Sequence, residues 1–312
     1  MGPILRVVAA PVALVAVVAL PGCGPGGGES RPGGVELRIT RGFGQQIAYA
    51  TRRDHVRPRE TVIGLLRSKR RVEIAPGGGG VKSIEGLGSR RHSGPRGWFY
   101  FVNGLEGSAG PGDRRLSPGD VVQWDYRRTD GARTVPAIVG AYPEPLASGT
   151  GGKRLPVRIE CADDRAPSCR EVERRLRSAG VTASLGSFGK PGGEGLLRVI
   201  VAPWSLTRRV RAAAGLEAGP QASGVFARFR AGGQRLELLD PSGRPVRTAP
   251  PGTGLVAATA LEGEQRVWLV TGSDESGVRR AAGALDRATL RDRYAVAVLP
   301  DGVVALPVGG AD

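Results

Sequence analysis

The chain has 312 residues, enough for one large or two modest domains. With 50 Gly, 24 Pro and only 5% aromatic residues, small cores, many turns and genuine linkers are expected. Its 45 basic and 29 acidic residues leave a net charge of +16, which attracts polyanions: nucleic acid, anionic lipid head groups or phosphate-bearing wall polymers. All but four of the basic residues are Arg, and they are scattered rather than blocked, a pattern that also fits the amino-acid bias of a GC-rich genome.

Arg6 and the amino terminus precede an apolar run from Val7 to Leu20, the length of a signal h-region and too short to span a bilayer comfortably. No other segment approaches membrane-spanning length. Leu20-Pro21-Gly22-Cys23 resembles the lipobox of bacterial lipoproteins, departing from it at Pro21, where Ala, Ser or Thr is usual. The resemblance implies a signal peptide over 1–22, cleavage before Cys23 and lipidation of that cysteine. The protein would then sit on the extracytoplasmic face of the cell membrane. Residues 24–34 (GPGGGESRPGG) cannot build a core and read as a flexible tether. In that compartment nucleic acid is not an expected partner. Two cysteines remain, Cys161 and Cys169, either as a disulfide closing a short strand–helix loop or as two reduced buried thiols. With no His nearby, no metal is expected there.

Over 35–142 the pattern predicts a first domain. VELRIT (35–40) alternates as a half-buried strand, and QQIAYAT (45–51) follows a Gly-containing turn, so the two can pair as a hairpin. Val62, Leu65 and Leu66 recur at helical spacing and predict one short helix over 60–69. Short strands are expected near 72–75 and 81–86. The loop 87–96 is basic, either a solvated surface loop or a binding rim, and His55 and His92 read as surface residues. GWFYFVNG (97–104) is an aromatic strand with Trp98, Tyr100 and Val102 on one face and Phe99 and Phe101 on the other. Asn103-Gly104 tolerates the positive φ of a tight turn, and Ser117-Pro118-Gly119-Asp120 reads as a second turn before the strand VVQWDY (121–126).

The helix with TVIGLL, then Trp98, Asn103-Gly104, Gly119-Asp120, Trp124 and Tyr126, resemble the transcobalamin C-terminal-like domain over roughly 35–128. The resemblance implies a β-grasp-like fold, a small mixed sheet crossed by one helix, and makes cobalamin or another corrinoid a possible ligand rather than a resident cofactor. In the animal carriers a large helical barrel completes the site, and nothing here looks like that barrel. Asn103, Gly104, Gly119 and Asp120 read as structural turns. Trp98, Tyr100, Trp124 and Tyr126 read either as core aromatics or as a platform for a ligand ring beside Arg.

Residues 143–154 carry Pro143-Glu144-Pro145 and a Gly-rich run and read as a linker. The rest, 155–312, reads as a second mixed α+β domain of no recognised family. Strands are expected at 155–161, 196–204, 224–230, 235–240, 255–261, 266–272, 294–300 and 303–308. Helices are expected at 169–179 capped by Ser168, at 205–215, and at 275–288 capped by Asp274 or Ser273. The fold class is therefore α+β throughout.

Catalytic motifs are missing. There is no G-x-S-x-G, Walker A, H-E-x-x-H or G-x-G-x-x-G, and the adjacent acid pairs Asp163-Asp164 and Asp274-Glu275 would diverge. A distant carboxylate pair stays open. The leading expectation is a lipid-anchored binding protein that captures a small molecule such as a corrinoid or docks an envelope protein or transporter. The alternative is an envelope structural or assembly protein that binds anionic polymers, lipids or a protein partner through its basic surface.

Overall fold

The computed structural model describes residues 2, 33–76, 80–88, 95–190, 193, 195–260 and 266–311. The segment that resembles a lipobox with Cys23, most of residues 24–34, His92 and most of the basic loop lie outside these. Among the described residues no helix is long and apolar enough to cross a membrane. About 19% of the described residues are helix and 38% strand, a mixed α+β composition.

The first sheet contains β1 (Val35–Arg41), β2 (Gln46–Arg53), β5 (Arg96–Val102), β6 (Leu105–Glu106) and β7 (Val121–Arg128), in the order β2-β1-β7-β5-β6. β1 and β7 run parallel and the other pairs are antiparallel. The helix Val62–Arg67 crosses this mixed sheet, as in a β-grasp. Thr61 caps it by accepting from the Gly64 N–H, and Val62, Leu65 and Leu66 are buried. A small hairpin, β3 (Val72–Ile74) with β4 (Val81–Ile84), follows the helix.

The alternation along β5 has two destinations. Trp98, Tyr100 and Val102 face the helix-side core with Leu37, Leu65 and Trp124. Phe101, with Phe99 beside it, faces a second core shared with Trp204, Phe226 and Tyr294 from the C-terminal half. The β1–β2 turn adds Phe43 to that core. Phe43 sits between Gly42 and Gly44 at positive φ, is 1% exposed, and meets Phe226 and Tyr294 edge-on.

The C-terminal half is built on a seven-stranded sheet. Its members are β8 (Val157–Cys161), β9 (Ala183–Gly186), β10 (Leu197–Pro203), β14 (Gly254–Ala260), β15 (Arg266–Gly272), β16 (Ala295–Leu299) and β17 (Gly302–Leu306). The order is β17-β16-β14-β15-β10-β8-β9. One face packs on the helices Pro167–Ser178 and Glu275–Gly283. The other packs on the core shared with the first sheet, which a three-stranded sheet also covers: β11 (Ala227–Arg230), β12 (Arg235–Leu239) and β13 (Pro245–Ala249). Residues 143–154, read from sequence as linker, begin in a buried stretch: Tyr142–Leu146 is buried, and Tyr142 and Leu146 pack into the core between the seven-stranded sheet and those two helices. Arg31–Asp312 is one compact unit.

Buried charge ties the first sheet to the C-terminal half. The Asp125 carboxylate accepts from the Thr40 hydroxyl (2.7 Å), the Tyr294 hydroxyl (2.9 Å) and the N–H groups of Phe43 (3.0 Å) and Gly44 (3.2 Å). Burial pushes this carboxyl up, against the pull of those donors. Arg38 donates to the Gly140 carbonyl and pairs with Glu36 and Asp292.

Three local expectations are corrected. Ser168 does not cap its helix: Ala166 is the N-cap and Pro167 opens the first turn, where its missing N–H costs nothing. The helix expected over 205–215 is two single turns, Trp204–Thr207 and Arg211–Ala214, because Val210 goes extended and drives its side chain into the core. The helix expected over 275–288 stops at Gly283, and Asp286 starts a new turn, Arg287–Leu290, by accepting from the Thr289 N–H. Asp274 does cap Glu275–Gly283, accepting from Gly277 and also from Gly252. Cys161 and Cys169 form a disulfide, with Cα atoms 5.9 Å apart.

Candidate ligand-binding cleft

The Asn103-Gly104 turn reverses β5 into β6, with φ of 55° and 74°. The Asn103 side chain is spent on structure. Its amide donates to Asp120 (2.9 Å) and to the Gly149 carbonyl (3.0 Å), and its oxygen accepts from the Val121 N–H (2.9 Å). Gly119 takes positive φ in the second turn, and Asp120 accepts from the Ser117 N–H. Burial raises the Asp120 carboxyl. These four residues therefore clamp two turns and the 149 loop to one another.

Beyond β6 the chain runs through Gly107-Ser108-Ala109-Gly110-Pro111 and folds back over Tyr100. The Gly107 N–H donates to the Tyr100 carbonyl (3.0 Å), and the Tyr100 hydroxyl donates to the Ala109 carbonyl (2.5 Å). A Cβ on Gly107 would lie 1.9 Å from the Tyr100 ring, so only glycine fits.

This loop forms one wall of a cleft of about 890 Å³, at the upper end of the size range of small-molecule sites. Trp98, Tyr100 and Trp124 line it from the first sheet, and Phe99 from that sheet's other face. Gln221, Ala222, Ala260 and Arg266 line it from the C-terminal half, and Glu106 and Arg133 complete it. Opposed residues on β5 and β7 bring the four sequence-identified aromatics together: Trp98 against Tyr126 and Tyr100 against Trp124, each with ring centroids 5.2 Å apart.

The four differ in what they can offer. Tyr100, Trp124 and Tyr126 are buried, and Tyr126 does not line the cleft. Trp98 is half-buried, with its Nε1 donating to the Leu87 carbonyl (3.1 Å), so its ring presents a face rather than a polar edge. Trp98 also borders a smaller hollow of about 220 Å³, where Arg70 lies 3.5 Å over the Tyr49 ring. The Nε1 of Trp124 is buried and has no hydrogen-bond partner. Among the described residues neither Arg133 nor Arg266 has an ion-pair partner. Burial and the positive charge of Arg114 lower the Arg266 pKa, so an anion beside it would be stabilised. Glu106 is committed elsewhere, to Arg127 (3.5 Å) and the Val135 N–H (2.9 Å), and burial raises its carboxyl.

Residues 60–128 match a domain of unknown function (DUF4430), which is found in transcobalamin-like proteins. The match covers less than a quarter of the chain and includes Trp98, Asn103, Gly104, Gly119, Asp120, Trp124 and Tyr126. It omits β1 and β2, which complete the same sheet. It indicates no catalytic family. No curated protein matches the chain.

Sequence reasoning located the aromatics but not Glu106, Arg133, Arg266 or the covering loop. The loop had a signal in its small residues just after the Asn-Gly turn. Arg266 had none, because the aromatics it joins in the cleft lie more than a hundred residues away in sequence. Among the described residues no group of His, Cys, Asp and Glu could hold a metal ion.

Proposed function

We propose that this protein is an extracytoplasmic binding protein, held at the membrane by lipid on Cys23. Its cleft takes a ring-bearing ligand with an anionic group. The observation that carries the reading is the pairing, across one cleft of about 890 Å³, of the half-buried Trp98 ring with Arg133 and Arg266. A flat apolar surface opposite unpaired guanidinium groups suits a conjugated ring bearing phosphate or carboxylate. The buried Trp124 Nε1 is a further donor without an acceptor at the cleft wall. A corrinoid is the first ligand to test, because the aromatic and turn residues resemble the transcobalamin C-terminal-like domain and cobalamin carries both a conjugated ring and a phosphate.

The experiment is calorimetric titration of the soluble unit Arg31–Asp312 with cobalamin, with tryptophan quenching in parallel. Saturable micromolar or tighter binding is expected, weakened at least tenfold by Trp98→Ala and by Arg266→Ala with the fold intact. Absence of binding removes the corrinoid. Binding that ignores both substitutions removes the cleft.

A further inference from the structure

The chain enters the folded unit at one pole, and that pole is basic. The Gly34 carbonyl accepts from the Gly119 N–H (2.6 Å), which places the start of β1 beside the 117–120 turn. Segment 52–61 lies against the same turn region: Leu116 N–H donates to the Glu60 carbonyl (2.9 Å), and Thr61 bridges Arg115. The 149–154 loop joins them through the Arg114 guanidinium, which donates to the Thr150 hydroxyl (3.2 Å).

Residues 52–61, 113–120 and 149–154 of this pole expose Arg52, Arg57, Arg59, Arg115, Lys153 and Arg154. Against these six cations they expose only the carboxylates of Asp54 and Asp113, because Glu60 and Asp120 are buried. Glu60 is moreover committed to the Arg53 guanidinium and the Arg57 N–H. The excess of positive charge is therefore solvent-facing and local, and it surrounds the point where the preceding chain arrives.

We propose that this pole is a membrane contact that binds anionic lipid head groups beside the anchor. The proposal rests on the reading of Cys23 as lipidated. From Cys23 to Val35 is twelve residues, a reach of at most ~40 Å. Lipid on Cys23 would bring the head groups within that reach of the pole. Attraction then acts within the Debye length of ~8 Å, and anchor and patch supply the two signals that stable attachment needs.

The test uses the unit Arg31–Asp312, which has no anchor, and co-sedimentation with phosphatidylglycerol–phosphatidylcholine vesicles against pure phosphatidylcholine. Salt-sensitive binding to the anionic vesicles alone is expected. Arg57→Glu, Arg59→Glu and Arg115→Glu together should lower the partition coefficient about tenfold or more. The same charge change placed elsewhere, Arg209→Glu, Arg235→Glu and Arg247→Glu, should lower it far less. No preference for anionic vesicles overturns the proposal, and so do equal losses from the two triple variants. Soluble polyphosphate that competes at matched phosphate also overturns it, in favour of a wall polymer. Palmitate labelling of the full chain, lost in Cys23→Ser, tests the anchor separately, so the patch and the anchor can fail independently.

Discussion

Replacing Asp125 by Asn tests whether the joint between the first sheet and the C-terminal half depends on an ionised acceptor. The carboxylate is fully buried and receives four donors, two on each oxygen: Thr40 and Gly44 on Oδ1, Phe43 and Tyr294 on Oδ2. An amide keeps one acceptor oxygen and turns the other position into a donor. The hydroxyls of Thr40 and Tyr294 can rotate to accept from it. The N–H of Gly44 or of Phe43 cannot, so in either amide orientation one backbone donor is left buried and opposed. An unsatisfied buried donor costs about 1–3 kcal/mol. Losing the charge on the surviving bonds adds to that, and relief of carboxylate desolvation subtracts from it, so a net loss of about 2 kcal/mol is expected. Urea unfolding of Arg31–Asp312 followed by fluorescence of its four tryptophans should show a lower midpoint and an unchanged slope. A midpoint within error of the parent protein would refute the reasoning, because the site would then be indifferent to which group accepts.

Gly107→Ala should destabilise the loop over Tyr100 by about 1–3 kcal/mol, since the added methyl overlaps the ring, and thermal unfolding will report it. Removing the Cys161–Cys169 disulfide with paired Ser substitutions should cost about 2.5 kcal/mol from loop entropy at a separation of 8 residues, measured by urea unfolding. The pH dependence turns on Tyr142, whose phenol burial pushes up to about 12. Because the unfolded phenol ionises near pH 10, its contribution is fully present below that pH and is lost as pH rises towards 12, by about 2–3 kcal/mol. Tyr142→Phe should flatten the alkaline loss of stability over that window, and an unchanged slope would show that the phenol ionises freely in the folded state.

The hairpin, the single helix, the aromatic strand and its two turns were legible because each is a local pattern: alternation, helical spacing, or residues that tolerate positive φ. The disulfide was legible as one of two alternatives, from cysteine count and compartment. What local patterns could not show is what each face meets. Phe99 and Phe101 alternate with Trp98 and Tyr100, but nothing in β5 says that their face closes on Phe226 and Tyr294, almost two hundred residues away at the furthest. Asp125 and Arg127 look like the solvent side of an edge strand and are in fact buried between halves. The breaks at Val210 and Asp286 were missed for a related reason, since a core position and a capping acid outweighed helical spacing. The cleft was half legible: its aromatic wall lies on one strand pair, whereas Arg266 arrives from a strand of the other sheet.

The Gly42-Phe43-Gly44 tip has a mechanical consequence. A buried aromatic at the end of a hairpin, seated between Phe226 and Tyr294 and held by two N–H bonds to Asp125, acts as a peg. The two halves cannot rock apart without withdrawing it and stranding those bonds. The two sides of the cleft, one from each half, are therefore held at a fixed spacing. For the binding role proposed above, this predicts little change in overall dimensions between empty and filled forms.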